Sequence, residues 1–436
     1  MNATGTTGAD SPVNHILRNP RRVLRHLPLR AQKLKAMQRL GFLPDADPAP
    51  DRRALLAAAM DGSLTNEGVV PALCAQSGLP AEEVRAQLRT LYRTGLLEFH
   101  ITDRCDLSCE NCHYRAEPQA TYPYGRIEET IAALAPRAIT ITGGEPNVYR
   151  DGARTMNDVV RLISERFPDI QLGLINNNTQ LPEGDWPARL CWQRSSLDAA
   201  ERETYRRIKR ADKFEQTVQN VCRLLDSPLP YVGVGFLYRD ENIEELPDFL
   251  SDWYGRWRQM DALARAKLNL QFRPISPAIE QTPAYDRHNP MEARMSAALR
   301  RVRSAAGADP AFDAFLRGCT NFYSIRNAGG SYFLHEPQTF SRCQNALLHR
   351  VVRSDGTEYP DFLLCSDPSL ALGNALTARD PDRARERIAL NTLYFYFCNS
   401  PYCDGRHCRQ GWVSRIVEQN AHADPNAPEL SDSYFF

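Results

Sequence analysis

Three cysteines, Cys105, Cys109 and Cys112, fall within eight residues of a 436-residue chain. Three thiolates on one tight loop can hold three irons of a [4Fe–4S] cluster and leave the fourth iron without a protein ligand. An electron-transfer ferredoxin fills that position with a fourth Cys. An open iron admits a substrate or cofactor, so the loop predicts chemistry beyond electron storage. A zinc knot or disulfides are the alternative, but CxxxCxxC lacks the paired CxxC layout of zinc ribbons.

Bulk properties set the frame. The 53 basic and 53 acidic side chains balance, and the pI is near neutral, so net charge points to neither nucleic acid nor membrane. No apolar run approaches a membrane span and the N-terminus has no apolar signal core. Twelve cysteines in such a chain suit metal or cluster ligation in a reducing cytoplasm better than a disulfide framework. The expected location is cytoplasmic, with no membrane partner.

The elements that position the cysteines follow from periodicity. Apolar β-rich runs occur at 97–102, 138–142, 171–175, 190–196, 231–238 and 268–274. Helix-period segments at 127–134, 156–167, 214–225 and 243–257 separate most of them. Six strands with helical crossovers predict a parallel sheet, whose chemistry gathers at the C-terminal strand ends. Cys105 falls just after the first strand.

Other strand ends carry polar or glycine-rich turns. Thr142 runs into Gly143-Gly144-Glu145-Pro146, where two glycines let the backbone approach a ligand and expose amide N–H groups to it. The third strand runs into Asn176-Asn177-Asn178-Thr179 and the fourth into Ser195-Ser196-Leu197-Asp198. Strand alternation places Trp192, Arg194 and Ser196 on one face. The fifth strand ends at Tyr238-Arg239-Asp240, and the sixth carries Arg273. Both arginines are expected near a substrate cavity.

Flanking regions differ in character. Eight Lys/Arg residues and no acid lie between Arg18 and Arg39, at helix-like spacing. This predicts a basic amphipathic helix with a solvated or domain-packing face, an anionic partner being the alternative. A Pro/Asp-rich linker at 44–51 precedes three short helices over 52–96. Towards the C-terminus, Cys343 and Cys365 flank an Asp355-Gly356 turn between strand-like runs. That pattern predicts a β-hairpin with its flanking Cys residues brought together. Cys398, Cys403 and Cys408 follow.

CxxxCxxC behind a strand, with GlyGlyGluPro at the next strand end, resembles the radical S-adenosylmethionine (radical SAM) superfamily. The Asn177 turn and SerLeuAsp at 196–198 are similar to its later motifs, with Ala199 in place of a common Gly. The distal cysteines resemble its C-terminal SPASM/twitch auxiliary-cluster domains. This resemblance implies an α/β fold, a partial (βα)6 parallel barrel, with an N-terminal helical winged-helix-like unit and a small Cys-rich α+β cluster domain. It implies that Cys105, Cys109 and Cys112 bind a catalytic [4Fe–4S] cluster. Gly143, Gly144, Glu145, Pro146, Asn177, Ser196 and Asp198 would position SAM. Four of Cys343, Cys365, Cys398, Cys403 and Cys408 would bind an auxiliary [4Fe–4S] cluster, with Cys319 a spare. The aromatic that usually precedes the third cluster Cys is Asn111 here, and His113 or Tyr114 stands in for it.

The expected organisation is a basic extension at 1–50 and a winged-helix or PqqD-like unit at 51–96. The barrel occupies 97–306 and the auxiliary domain 307–436. The expected activity is reductive cleavage of SAM to a 5′-deoxyadenosyl radical that abstracts a substrate hydrogen atom, oxidising or cross-linking a ribosomally made peptide. One alternative is a dehydrogenase or epimerase of an aminocyclitol or sugar; another is a cluster- or zinc-bearing DNA-binding regulator. A flavodoxin or ferredoxin is the expected reductant.

Overall fold

Strand β1 (Leu96–Thr102) alternates cleanly. Leu97, Phe99 and Ile101 enter the main apolar core, while Glu98 and His100, two residues apart, bond to each other at 3.0 Å on the opposite face. That polar inner face recurs round the sheet and makes the interior of the barrel polar. A computed structural model describes residues 26–42, 66–110, 112, 119–274, 294–295, 297–302, 304, 309–322, 342–365, 367–376, 380–397 and 418.

After β1 come helix α4 (Tyr124–Leu134) and β2 (Ala138–Gly143), then α5 (Met156–Arg166) and β3 (Gln171–Asn176). They are followed by β4 (Trp192–Ser196), α6 (Arg202–Lys209), α7 (Phe214–Leu225), β5 (Val232–Tyr238), α8 (Leu246–Gln259) and β6 (Leu268–Pro274). Local chemistry sets the boundaries. Thr155 and Asp158 form a capping box at the start of α5, and Ala135 ends α4 in the left-handed conformation.

Strands β1 to β6 pair in chain order and all parallel. The sheet does not stop there. Strand β7 (Thr320–Phe322), after α9 (Pro310–Cys319), adds in parallel beside β6. At the other edge β8 (His349–Val352) pairs in parallel with β1, and the antiparallel β9 (Thr357–Tyr359) and β10 (Gly373–Asn374) follow. Among the described residues the ten strands form an open sheet ordered β10-β9-β8-β1-β2-β3-β4-β5-β6-β7. The expected α/β partial barrel is therefore present. The predicted C-terminal hairpin forms, with Gly356 (φ +84°) in its turn, and it continues the barrel sheet.

The N-terminal helices close the outer face near β1 and β8. Helix α1 (Leu27–Arg39) and α3 (Ala81–Tyr92) pack on each other, and α3 packs on the C-terminal α10 (Pro381–Phe397). Of the described basic residues, Arg30 and Lys33 face inward, while Lys35 and Arg39 stay exposed. Lys33 is fully buried and donates to Leu91 O at 2.6 Å; Arg30 donates to Gln344 Oε1 at 2.8 Å. The domain-packing expectation for this helix is thus what the structure shows. Between 66 and 96 lie α2 (Asn66–Ser77) and α3, with no strand before β1; the expected helix at 53–60 and the linker lie outside the described residues.

A buried ion pair joins these helices to the hairpin. Arg350 Nη1 lies 3.0 Å from Glu358 Oε2, Tyr92 OH donates to Glu358 Oε1 at 3.0 Å, and the Arg350 guanidinium sits 5.3 Å from the Tyr92 ring centre. Removing one partner leaves an uncompensated buried charge. Glu358→Ala is expected to lower stability by about 3–5 kcal/mol in urea unfolding, and Tyr92→Phe by about 1 kcal/mol.

Candidate active site

The cysteine loop has no regular structure of its own, so the neighbouring strand ends hold it. Gly144 N donates to Thr102 O at 2.7 Å and Glu145 N to Arg104 O at 2.8 Å. A Cβ on Gly143 (φ +132°) would lie 2.3 Å from Thr102 O, and one on Gly144 would lie 2.4 Å from both Asp103 O and Arg104 O. Glycine is required here because two backbones meet. The sequence suggested that this turn offers its amides to a ligand. In the structure the amides of Gly144 and Glu145 instead fasten the cysteine loop.

Glu145 ties β2 to β3. Its fully buried carboxylate accepts from Asn147 N at 2.9 Å and Asn177 N at 2.5 Å. Burial pushes its pKa up to about 8 against the pull of those two N–H groups. Pro146 opens the single 3-10 turn that follows. From β3, Asn177 Nδ2 donates to Asp106 Oδ1 at 2.7 Å and approaches Cys105 Sγ at 3.7 Å. Thr179 and Gln180 also donate to Asp106. Asp106, inside the cysteine spacing, is thereby the anchor of the loop.

A third support comes from α6. Glu110 N donates to Ile208 O at 3.0 Å, and the next residue, Lys209, is buried with its ammonium on Asp198 Oδ2. Asp198 adopts the left-handed conformation (φ +61°) and also accepts from Leu237 N at 2.7 Å. Burial alone would raise the Asp198 pKa, but Lys209 holds it below the usual range. The same Lys209 charge acts on Cys109, easing the rise that burial imposes on that thiol. At the fourth side, Arg353 of the hairpin turn lies 3.9 Å from Asp103.

Inside the barrel, the Trp192 indole lies where a Cβ on Gly173 would be (2.3 Å), and Arg194 donates to Gln271 Oε1 at 2.8 Å. Ser196 ends the same strand, beside the cysteine loop's end of the sheet. Burial would raise the Glu98 pKa, yet its bond to His100 and the charges of His349 and Arg194 hold it low.

Three of the distal cysteines lie among the described residues. Cys319 is buried at the end of α9, ahead of the far edge strand β7. Cys343 packs against the main core, whereas Cys365 is buried with Val351 and Tyr359. Cys398, Cys403 and Cys408 lie outside the described residues, as do Asn111, His113 and Tyr114.

Cys105, Cys109 and Cys112 are free thiols on the one loop. Burial raises Cys105 to about 12 and pushes Cys109 up as well, so bound iron must displace their protons. Among the described residues no group of three His, Cys, Asp or Glu is placed to hold a single metal ion. A cubane cluster distributes its thiolates over three irons and does not need them on one ion. The donor set fits such a cluster: soft sulfur ligands, with Leu107 N donating to Cys105 Sγ at 3.4 Å.

The pattern of the Radical SAM superfamily matches residues 99–252, from β1 into α8. This stretch is a radical SAM domain. Curated relatives include the GTP 3′,8-cyclase of Chlorobaculum tepidum, 27% identical over 240 residues, 52% of this chain and 66% of that protein. The GTP 3′,8-cyclase of Yersinia pestis is 29% identical over 168 residues, 36% of this chain and 50% of that one. The chain thus spans between half and two thirds of these relatives' own length. Among solved structures, Streptococcus suis SuiB bound to precursor peptide SuiA has TM-score 0.48 and 13% identity, covering 69% of this chain and 68% of that chain. Native anSMEcpe with bound AdoMet and Cp18Cys peptide has TM-score 0.47 and 16% identity, covering 74% and 88%.

Within the radical SAM domain, Asp106, Thr179 and Lys209 were not apparent from sequence. An acid inside the cysteine spacing has no pattern of its own. For Lys209, the three-residue step from Tyr205 to Ile208, both buried, was the available signal.

Two outcomes are expected. Asp106→Ala should lower iron retained per chain after anaerobic reconstitution severalfold, with little change in melting temperature, because the loop loses its anchor while the core is untouched. Glu145 keeps its proton in the fold to about pH 8, whereas the unfolded chain releases it near 4.5. The native state therefore binds more protons across that window, and the contribution of Glu145 to stability falls as pH rises from about 4.5 to 8. Urea unfolding between those limits should show a downward slope that Glu145→Gln flattens.

Proposed function

We propose that this chain is a radical SAM enzyme whose catalytic [4Fe–4S] cluster is held by Cys105, Cys109 and Cys112. The observation that carries this reading is the cysteine loop held on four sides at the C-terminal ends of the parallel strands. When bound, the cluster and SAM supply reductive cleavage to a 5′-deoxyadenosyl radical, which abstracts a substrate hydrogen atom. The chain's own part is positional. Asp106 and the Gly143-Gly144 turn fix the loop, and Lys209 sets a positive charge beside Cys109. Asn177 sits beside Cys105, and Gly143, Gly144, Glu145, Pro146, Ser196 and Asp198 form the rim on which SAM would be oriented. The polar inner strand faces would bind substrate and exclude bulk water from the reacting carbon.

For the substrate, we read a ribosomally made precursor peptide that is oxidised or cross-linked, with four of Cys343, Cys365, Cys398, Cys403 and Cys408 holding an auxiliary [4Fe–4S] cluster that would accept the electron. Support comes from the distal cysteine set and its hairpin. A second reading is a small-molecule substrate; the inward packing of Lys33 and Arg30 takes two of the basic side chains away from a peptide. The relatives named for GTP point the same way. A flavodoxin or ferredoxin would supply the electron.

Iron and zinc content with electron paramagnetic resonance (EPR), before and after SAM addition, test the proposal. About eight irons per chain, with one signal shifting on SAM, support both clusters. About four irons with a SAM-sensitive signal support the catalytic site and remove the auxiliary cluster. Zinc without iron after reconstitution refutes the radical chemistry.

A further inference from the structure

Two arginines at the rim of the barrel hold buried donor atoms that have no hydrogen-bond partner among the described residues. Arg239, just past the end of β5, is only 5% exposed, and its Nε and Nη1 have no hydrogen-bond partner. Arg273, in the adjacent strand β6, has a buried Nε without a partner. The register pairs Leu237 with Arg273, so Arg239 stands two residues beyond the position opposite Arg273, at the same C-terminal end of the sheet. Gln271 reaches Arg194 across the inner face, and alternation places Arg273 on that same face.

The acid whose charge Arg239 meets is Asp198. Its side chain is already committed, one oxygen to Lys209 Nζ and the other to Leu237 N. Lys209 also faces Cys109, and no described acceptor is hydrogen-bonded to Arg239 Nε or Nη1. Buried donors without acceptors cost stability, and a guanidinium is shaped for bidentate bonds to carboxylate or phosphate. Such a group is retained where something outside the protein completes it.

The geometry points to an anion-binding site for the substrate, formed by Arg239 and Arg273 on the inner rim beside the SAM-orienting residues. This inference deepens the proposed function by giving the substrate a carboxylate or phosphate that anchors it while another carbon faces the radical. It narrows both substrate readings to acidic molecules, whether a peptide carboxylate or a phosphorylated small molecule.

The test uses the full, cluster-loaded chain without oxygen. Its melting is followed in sodium chloride, inorganic phosphate or succinate at matched ionic strength. A saturable rise of about 1–2 °C in phosphate or in succinate over chloride is expected, lost in both Arg239→Gln and Arg273→Gln. A response to phosphate assigns a phosphorylated substrate, and one to succinate a carboxylate. Arg273 is partly exposed, so its variant keeps the test decisive should Arg239→Gln fail to fold. The SAM-induced EPR change should persist in both variants. Its loss would give the arginines to the SAM carboxylate and overturn the inference. An equal response to all three salts, or one retained in both variants, also overturns it. Melting needs no SAM cleavage, so failure to find a SAM-responsive cluster refutes the radical reading separately.

Discussion

The structure depends on holding a loop that cannot hold itself. Cys105 to Glu110 form one short irregular segment, and cluster chemistry needs three thiols at fixed separations. Backbone in such a segment must find partners elsewhere or lose hydrogen bonds. Here the partners come from three strand ends and one helix end. Thr102 and Arg104 carbonyls accept from the Gly143–Glu145 turn, and Ile208 O accepts from Glu110. Asp106 collects Asn177, Thr179 and Gln180.

That constraint explains features that otherwise look unrelated. Gly143 and Gly144 are small because the Thr102–Arg104 backbone lies where their side chains would be. Glu145 is a buried acid because two backbone N–H groups from different segments need one acceptor. Asp198 stays in a strained left-handed conformation because Lys209, Leu237 and Asn242 all bond to it. The C-terminal hairpin is part of the same support. It extends the sheet beside β1, and its Arg353 meets Asp103 at the start of the loop.

Interior polarity follows from the same sheet. In β1 and β6 apolar residues face the helices while Glu98, His100, Asn269 and Gln271 face inward. Ion pairing absorbs much of that charge, but Arg239 keeps donors that no described residue satisfies. Buried donors left without acceptors cost stability until a polar group completes them.

The sequence by itself determined the strands and their order of chemistry. The six expected strands lie within two residues of those observed, since apolar runs punctuated by polar turns leave little freedom in a parallel sheet. It also determined which residues could ligate a cluster, because three thiols at CxxxCxxC spacing are local information. It did not show the short helix α6, whose eight residues span little more than two turns. Nor did it show that the hairpin at 349–359 joins β1, or that the basic helix buries Lys33. Asp106 meeting Asn177, and Lys209 standing beside Cys109, joins residues dozens or tens of positions apart. Such contacts depend on where strand ends converge in space, and only the tertiary structure decides that.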